Sequence, residues 1–255
     1  MRDFTVQKYQ ELLAAITAQP IPVYGIRRWL AETPAAGILM RHDVDRKPQN
    51  ALAIAELEHA MGVAATYYFR ITPNAFQPQI IERIAALGHE IGYHYEDLSL
   101  AQGDYAQARQ LFQDHLALLR ELAPITTIAM HGRPLSPYDN RDLWQQYAFT
   151  DFGITAEAFL TVDYANVYYI TDTGRTWAET KLNLRDQASN CLFAAVASTD
   201  ELIAFVTQHP RAKIAIIMHP ERWNSSAISW FSQWGKDQAA NTIKYLLYLR
   251  RRRKP

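Results

Sequence analysis

The stretch Gly37-Ile38-Leu39-Met40-Arg41-His42-Asp43-Val44-Asp45 decides how the rest of the chain is read. Its apolar run stops abruptly at polar side chains. Such a run, bounded by turn residues, predicts a short buried strand. Arg41, His42, Asp43 and Asp45 then lie at its carboxyl end, where parallel α/β folds gather their chemistry. Side chains alternate along an extended backbone, so Asp43 and Asp45 share a face. Two carboxylates on one face repel each other, and a cation, a shared proton or a nearby Arg or Lys offsets that cost. The plain alternative is a strand-end loop in which Asp45 caps the following helix.

Outward from this strand the pattern alternates. A helix over 48–61 begins with Pro48 and carries Leu52, Ala55, Leu57 and Met61 at its apolar positions. Residues 64–70 are rich in β-formers and predict a second strand. Then come a helix over 77–87 closed by Gly88, a strand over 90–95, a helix over 105–122 and a strand over 126–131. A helix over 198–208, a strongly apolar strand over 213–218 and a last helix over 227–250 complete the series. The segment 139–190 is less regular: a short helix over 139–147 is expected, with irregular strands near 149–153, 167–171 and 191–193. Tyr9, Leu12, Leu13 and Ile16 predict an N-terminal helix, and Ile26, Trp29 and Leu30 a second short one. Strand–helix alternation with short connections predicts parallel strands and right-handed crossovers. We therefore expect a single α/β barrel domain over 1–255, irregular after its fourth strand. Residues 1–36 form an N-terminal helical extension and 226–255 a C-terminal helix.

The chain has 255 residues, 49% of them hydrophobic, enough for one substantial core. Lys plus Arg and Asp plus Glu both number 26, which argues against a nucleic-acid partner. The basic run Arg250–Lys254 reads as a solvated helix end that suits the helix dipole. Contact with an anionic membrane or glycan is its second reading. A single cysteine, Cys191, excludes an intrachain disulfide and suits a reducing compartment. Met1-Arg2-Asp3-Phe4 does not open a signal peptide, and no apolar run reaches membrane-spanning length. The expected location is cytoplasmic.

Four strand ends carry acid or imidazole groups: Asp43 and Asp45; His94, Glu96 and Asp97; His131; and His219. In a parallel barrel these ends converge on one rim. Imidazole and carboxylate donors together suit a borderline divalent ion, zinc first, with Co, Ni, Mn or Fe as others.

Arg41-His42-Asp43-Val44-Asp45 and, about 45 residues on, Gly88-His89-Glu90-Ile91-Gly92-Tyr93-His94 together resemble the first two motifs of the polysaccharide deacetylase family (carbohydrate esterase family 4, NodB-like). Ile217-Met218-His219-Pro220 resembles its final Leu-x-His motif. The resemblance implies a distorted parallel (β/α)7 barrel and metal-dependent hydrolysis of a sugar N-acetyl group. By position, Asp43 would be the general base, His219 the general acid, and Asp45 and His94 metal ligands. The family's second motif ends in a further His, and Leu98 stands there instead. Glu96 is the expected replacement, two residues from His94 on the same strand face, with Asp97 and His131 as alternatives. His131-Gly132-Arg133-Pro134 occupies the place of the Arg-x-Pro-Tyr motif, so His131 and Arg133 are expected near the substrate. Asp172 is a candidate to orient His219. Trp223 is either a sugar-stacking platform or core.

Other polar groups have plainer readings. Asp139 and Asn140 cap a helix, and Trp230 and Trp234 pack. Tyr67 and Tyr68 face opposite sides of their strand. His42 backs the carboxylates, and His89, at the start of its strand, is structural. The expected activity is N-acetyl removal from a carbohydrate, in surface polysaccharide (lipopolysaccharide) synthesis given the cytoplasmic expectation. The competing expectation is a non-catalytic carbohydrate-binding or scaffold protein with a degenerate metal site.

Overall fold

The computed structural model describes residues 2–178 and 188–252. Thr5 caps α1 (Val6–Thr17), accepting from the Lys8 amide. After β1 (Val23–Tyr24) and α2 (Ile26–Glu32), the chain enters β2 (Gly37–Val44), buried at all of its positions. The alternation then runs α3 (Pro48–Ala60), β3 (Thr66–Phe69), α4 (Pro78–Ala86), β4 (Glu90–Tyr95), α5 (Asp97–Leu100), α6 (Tyr105–Arg120) and β5 (Thr127–Met130). Two short 3-10 helices, Asn140–Gln145 and Phe149–Phe152, lead to β6 (Ala156–Glu157). β7 (Val167–Thr171), α7 (Thr199–Gln208), β8 (Lys213–Met218) and α8 (Ala227–Arg252) follow.

Seven strands pair in the order β6-β5-β4-β3-β2-β8-β7, every pair parallel. The last long strand thus inserts beside the first. β1 pairs with the start of β2, in line with β3. No ladder joins β6 to β7 among the described residues, so the sheet curls into a barrel that is open on one side. This is the distorted (β/α)7 barrel, in a single domain.

Strand parity divides the core in two. Ile38, Met40 and Val44 of β2 face outward to the helices, with Tyr67, Phe69, Ile91, Tyr93, Ile214 and Ile216. The opposite parity lines the interior with Leu39, Tyr68, Ala129, Ala215 and Ile217. Val162, Tyr164 and Val167 fill the open side of the same interior cluster. Gly92 makes room for Tyr68: a Cβ at that position would lie 2.2 Å from the tyrosine ring. Tyr9, Leu12, Leu13 and Ile16 of α1 are fully buried in the outer core, which makes that helix part of the barrel's packing.

Most long elements match their expected spans to within two residues at each end. The strand expected near 149–153 is instead a 3-10 turn. Gly153, at φ 69°, ends that turn in the left-handed conformation. The strand expected near 191–193 amounts to one bridge, Leu192 to Tyr168. β1 and β6 are two residues each, too short to carry a period; their partners β2 and β5 define them. No helix among the described residues is long and apolar enough to cross a membrane. Of the basic run Arg250–Lys254, the last two residues lie outside the described ones, and only the helical backbone is described through Arg252.

Candidate active site

Inward parity continues past each strand end and sets the site. Arg41 and Asp43 point inward from β2 and Asp45 from just beyond it, Arg70 from beyond β3, His94 from β4 and Glu96 from just beyond it, His131 from beyond β5 and His219 from beyond β8. A cavity of about 240 Å³ at this end is lined by Asp45, Arg70, His94, His131 and His219 among others.

Three imidazoles are each anchored through Nδ1. His94 Nδ1 donates to the Ala129 carbonyl at 2.9 Å. His131 Nδ1 donates to Glu96 Oε2 at 2.8 Å. His219 Nδ1 donates to Asp172 Oδ1 at 2.6 Å. An acceptor on Nδ1 fixes the tautomer and leaves Nε2 for other work. For His94 and His131 that atom faces one carboxylate oxygen: their Nε2 atoms lie 3.6 and 3.5 Å from Asp45 Oδ1. Asp45 Oδ1 is buried and has no hydrogen-bond partner.

A tetrahedral ion bound at ~2.1 Å by each donor holds those donors about 3.4 Å apart. The spacing around Asp45 Oδ1 fits that requirement, as does the chemistry of two imidazoles and a carboxylate. Among the described residues no group of three or more His, Cys, Asp or Glu is already arranged to hold a metal ion, so the fit rests on the two imidazole distances to Asp45 Oδ1.

The charges agree with this geometry. Burial alone would raise the Asp45 acid, but the His131, His94 and His219 imidazoles and Arg70 hold it far below the usual carboxylate range. Burial lowers His94, against the pull of Asp43 and Asp45, which keeps its Nε2 lone pair available. Burial pushes Glu96 up, but His131 and Arg70 outweigh it and bring the acid down to about 2.

Asp43 lies beside this centre in a different environment. Arg41 grips it with two parallel hydrogen bonds, Nε to Oδ1 at 2.7 Å and Nη2 to Oδ2 at 2.8 Å. Burial opposes ionisation of Asp43, yet Arg41, His94 and His219 keep it below its ordinary value. Asp43 Oδ2 is 3.8 Å from His94 Nε2. The repulsion expected between two acids on one face is thus met differently for each: an arginine fork for Asp43, imidazoles for Asp45.

Each residue named from the sequence can now be placed. Glu96 faces inward as expected, but its oxygens are taken by His131 and by Arg70 Nη2 at 2.6 Å. Its carboxylate backs His131, and the imidazole faces Asp45. Asp97 turns away to accept from Tyr93 and His115 on the outer side. Leu98, where a further imidazole was looked for, is buried in the outer core. Arg133 lines the cavity, 3.8 Å from Glu96. Asp172 meets His219 and also accepts from Arg222 Nη1 at 2.6 Å and Trp223 Nε1 at 3.1 Å. Trp223 is fully buried among Phe4, Tyr9 and Trp177, so it holds Asp172 and cannot stack on a sugar.

His42 corrects its expectation. Its parity points outward, where Nε2 bonds Glu58 Oε1 at 2.7 Å, away from the carboxylates. His89 is structural, donating from Nε2 to the Ala55 carbonyl. Asp139 caps its turn as expected, while Asn140 does more: its side chain donates to the His131 carbonyl and accepts from the Ser99 amide. Arg46, Arg70, Glu221 and Arg222 also line the cavity and were not singled out. Arg70 carried a usable signal, being another polar end of a β-rich run. Glu58 carried none, since one acid on an apolar helix reads as solvent-facing.

No family model matches the sequence. No curated protein matches it either. Among solved structures, that of Bacillus subtilis PdaA, a family 4 carbohydrate esterase, aligns with this chain at 10% identity. The alignment covers 85% of this chain and 92% of that one, with a TM-score of 0.37. Likeness at that level does not extend to activity.

Proposed function

We propose that the protein is a divalent-metal-dependent hydrolase that removes an N-acetyl group from a carbohydrate. The observation that carries this reading is the convergence of His94 Nε2 and His131 Nε2 on the unpartnered Oδ1 of Asp45. Asp45, His94 and His131 would hold the ion, with zinc the best match to the donor set. Glu96 and the Ala129 carbonyl would fix the two imidazoles from behind, the usual arrangement around such a centre.

When bound, the ion would polarise the amide carbonyl and make the attacking water more acidic. Asp43 takes the proton of that water as the water oxygen bonds to the carbonyl carbon. Arg41 keeps Asp43 ionised and aims both of its oxygens. His219, charged at Nε2, donates its proton to the departing nitrogen as the C–N bond breaks. Acetate and a free amine result. Surface polysaccharide synthesis in the cytoplasm is the biological setting we propose for such a reaction.

The test measures bound metal and acetate release together. Purified protein supplied with zinc, cobalt, nickel or manganese should hold about one equivalent and release acetate from a panel of N-acetyl sugars. His131→Ala should lose the metal. Glu96→Gln should keep it with affinity weakened about 10- to 100-fold, as for a group behind a ligand. Metal retained by His131→Ala but lost by Glu96→Gln would return the third ligand to Glu96. No metal bound by the unaltered protein would overturn the reading.

The pH dependence supplies a second check. Burial and Arg222 press the His219 pKa down, but Asp172 outweighs them and leaves it raised. A group raised on folding contributes stability below its unfolded pKa and loses it as pH rises through the folded value. Turnover that needs charged His219 therefore falls on the alkaline side, above the ordinary imidazole range. Asp172→Asn removes the largest upward pull and leaves burial and Arg222 opposed only by the Asp45 charge. The alkaline limb of kcat should then move down by about one pH unit or more. A limb that stays in place would remove His219 from the role of acid.

A further inference from the structure

The cavity wall is rich in cationic side chains. Five cations line it: Arg46, Arg70, Arg133, Arg222 and Lys244. The acids in the same wall are Asp45, Glu221 and Asp237. Carboxylates already meet several of these cations: Glu96 meets Arg70, Asp172 meets Arg222 and Glu221 lies near Arg46. Asp237 is engaged by Arg175 Nη1 at 3.2 Å. Glu221 is buried and lies 3.6 Å from Arg46 Nε.

Two guanidinium groups in this wall keep an unused donor. Arg222 is buried and bonds Asp172 through Nη1, while its Nε has no partner. Arg46 Nε is also buried without a hydrogen bond, and the nearest carboxylate oxygen recorded for it is Glu221 Oε1 at 3.6 Å. A buried donor left unsatisfied is costly, and oxygens of a bound anion would remove that cost. Helix α8 brings the fifth cation across the rim. Gln233 accepts from Lys47 Nζ at 2.8 Å, Asp237 meets Arg175, and Asn241 donates to the Gly174 carbonyl at 2.8 Å. That stripe seats Lys244 against the cavity.

We infer that the substrate carries a phosphoryl group, bound by Arg46, Arg222, Arg133 and Lys244 beside the reacting amide. The cations come from the segments after β2, β5 and β8 and from α8, so they surround the space and do not form one fork. A tetrahedral anion with three or more oxygens suits donors spread this way, whereas a carboxylate takes a single planar fork. The inference rests on the hydrolase reading for the amide and deepens it: the substrate class is a phosphorylated or diphosphate-linked N-acetyl sugar.

Titration calorimetry of inorganic phosphate and diphosphate into chelator-treated full-length protein tests this without using metal or turnover. Diphosphate should bind, and binding should weaken with added salt. Arg46→Gln should weaken it about tenfold, the loss of one charge-assisted hydrogen bond. Arg46→Gln with Lys244→Gln should weaken it further, and Arg46→Lys should recover part of the loss. Arg28→Gln, at an exposed site on α2 paired with Glu32, should leave it unchanged. Thermal midpoints of the variants separate loss of binding from loss of folding. No diphosphate binding, equal binding by Arg46→Gln in a folded protein, or equally tight binding of glucuronate would overturn the inference. None of these results bears on metal content or acetate release, so the two readings fail separately.

Discussion

Asp43→Asn is expected to lower kcat for acetate release by about a thousandfold while leaving the metal content unchanged. General-base catalysis is worth roughly 10²–10⁴ in rate, and an amide in place of the carboxylate has no basic oxygen. The metal should remain because Asp45, not Asp43, carries the oxygen that the two imidazoles face. KM should change little, since a base in the proposed role would act on the attacking water and not on the resting substrate. The substitution also has a structural cost. The Asn amide would turn one donor toward Arg41, which is itself buried, and the guanidinium would lose its counter-charge. Breaking such a buried pair costs about 3–5 kcal/mol, so unfolding must be followed alongside the rate. A folded, metal-loaded Asp43→Asn protein with nearly full turnover would remove Asp43 as the base.

Glu58→Ala is expected to destabilise the fold by about 3–5 kcal/mol, close to 10 °C in the midpoint for a domain of this size. Glu58 is fully buried on the outer side of the sheet. It accepts from Tyr9 of α1, from His42 of β2 at 2.7 Å and from Tyr67 of β3 at 2.6 Å. His89 Nδ1 lies 3.6 Å away. One carboxylate on α3 therefore ties the N-terminal helix to the two strands that hold the site. Its removal leaves three buried donors unsatisfied and a void beside stacked rings. Burial would raise the Glu58 acid, but the His42 charge and hydrogen bond, with His89 and Tyr67, hold it below its ordinary value. Its contribution is therefore present above the unfolded carboxylate pKa and lost as pH falls through the lower folded value. Urea unfolding at neutral pH measures the difference. A loss under 1 kcal/mol would show that the tyrosine and histidine donors find other partners.

The parts of the fold that could be read directly from residues are those with a strong local period or a hard stop. β2, β4 and β8 are apolar runs ended by Asp43, His94 and His219, and their spans match the expectation. Alternation along β2 placed Asp43 and Asp45 inward together, because that relation depends only on an extended backbone. The same rule, applied to the residue before Asp43, puts His42 on the helix side, where it meets Glu58. The error lay in treating adjacent polar residues as one cluster when adjacent strand residues face apart.

What local reasoning could not reach are the relations made between strands. Glu96 and His131 are 35 residues apart, and only the pairing of β4 with β5 puts the imidazole of one in front of the carboxylate of the other. A chain read along its length shows Glu96 two residues from His94 and makes it the natural third donor. In three dimensions Arg70 and His131 occupy its oxygens first. Asp172 likewise reaches His219 because β7 and β8 lie side by side, and Trp223 is withdrawn from ligand because α1 and the segment before it bring Tyr9 and Phe4 against it. Periodicity is local and survives in one dimension. Hydrogen-bond partnership is a competition among all groups brought within about 3 Å, and only the folded chain decides which of them arrive.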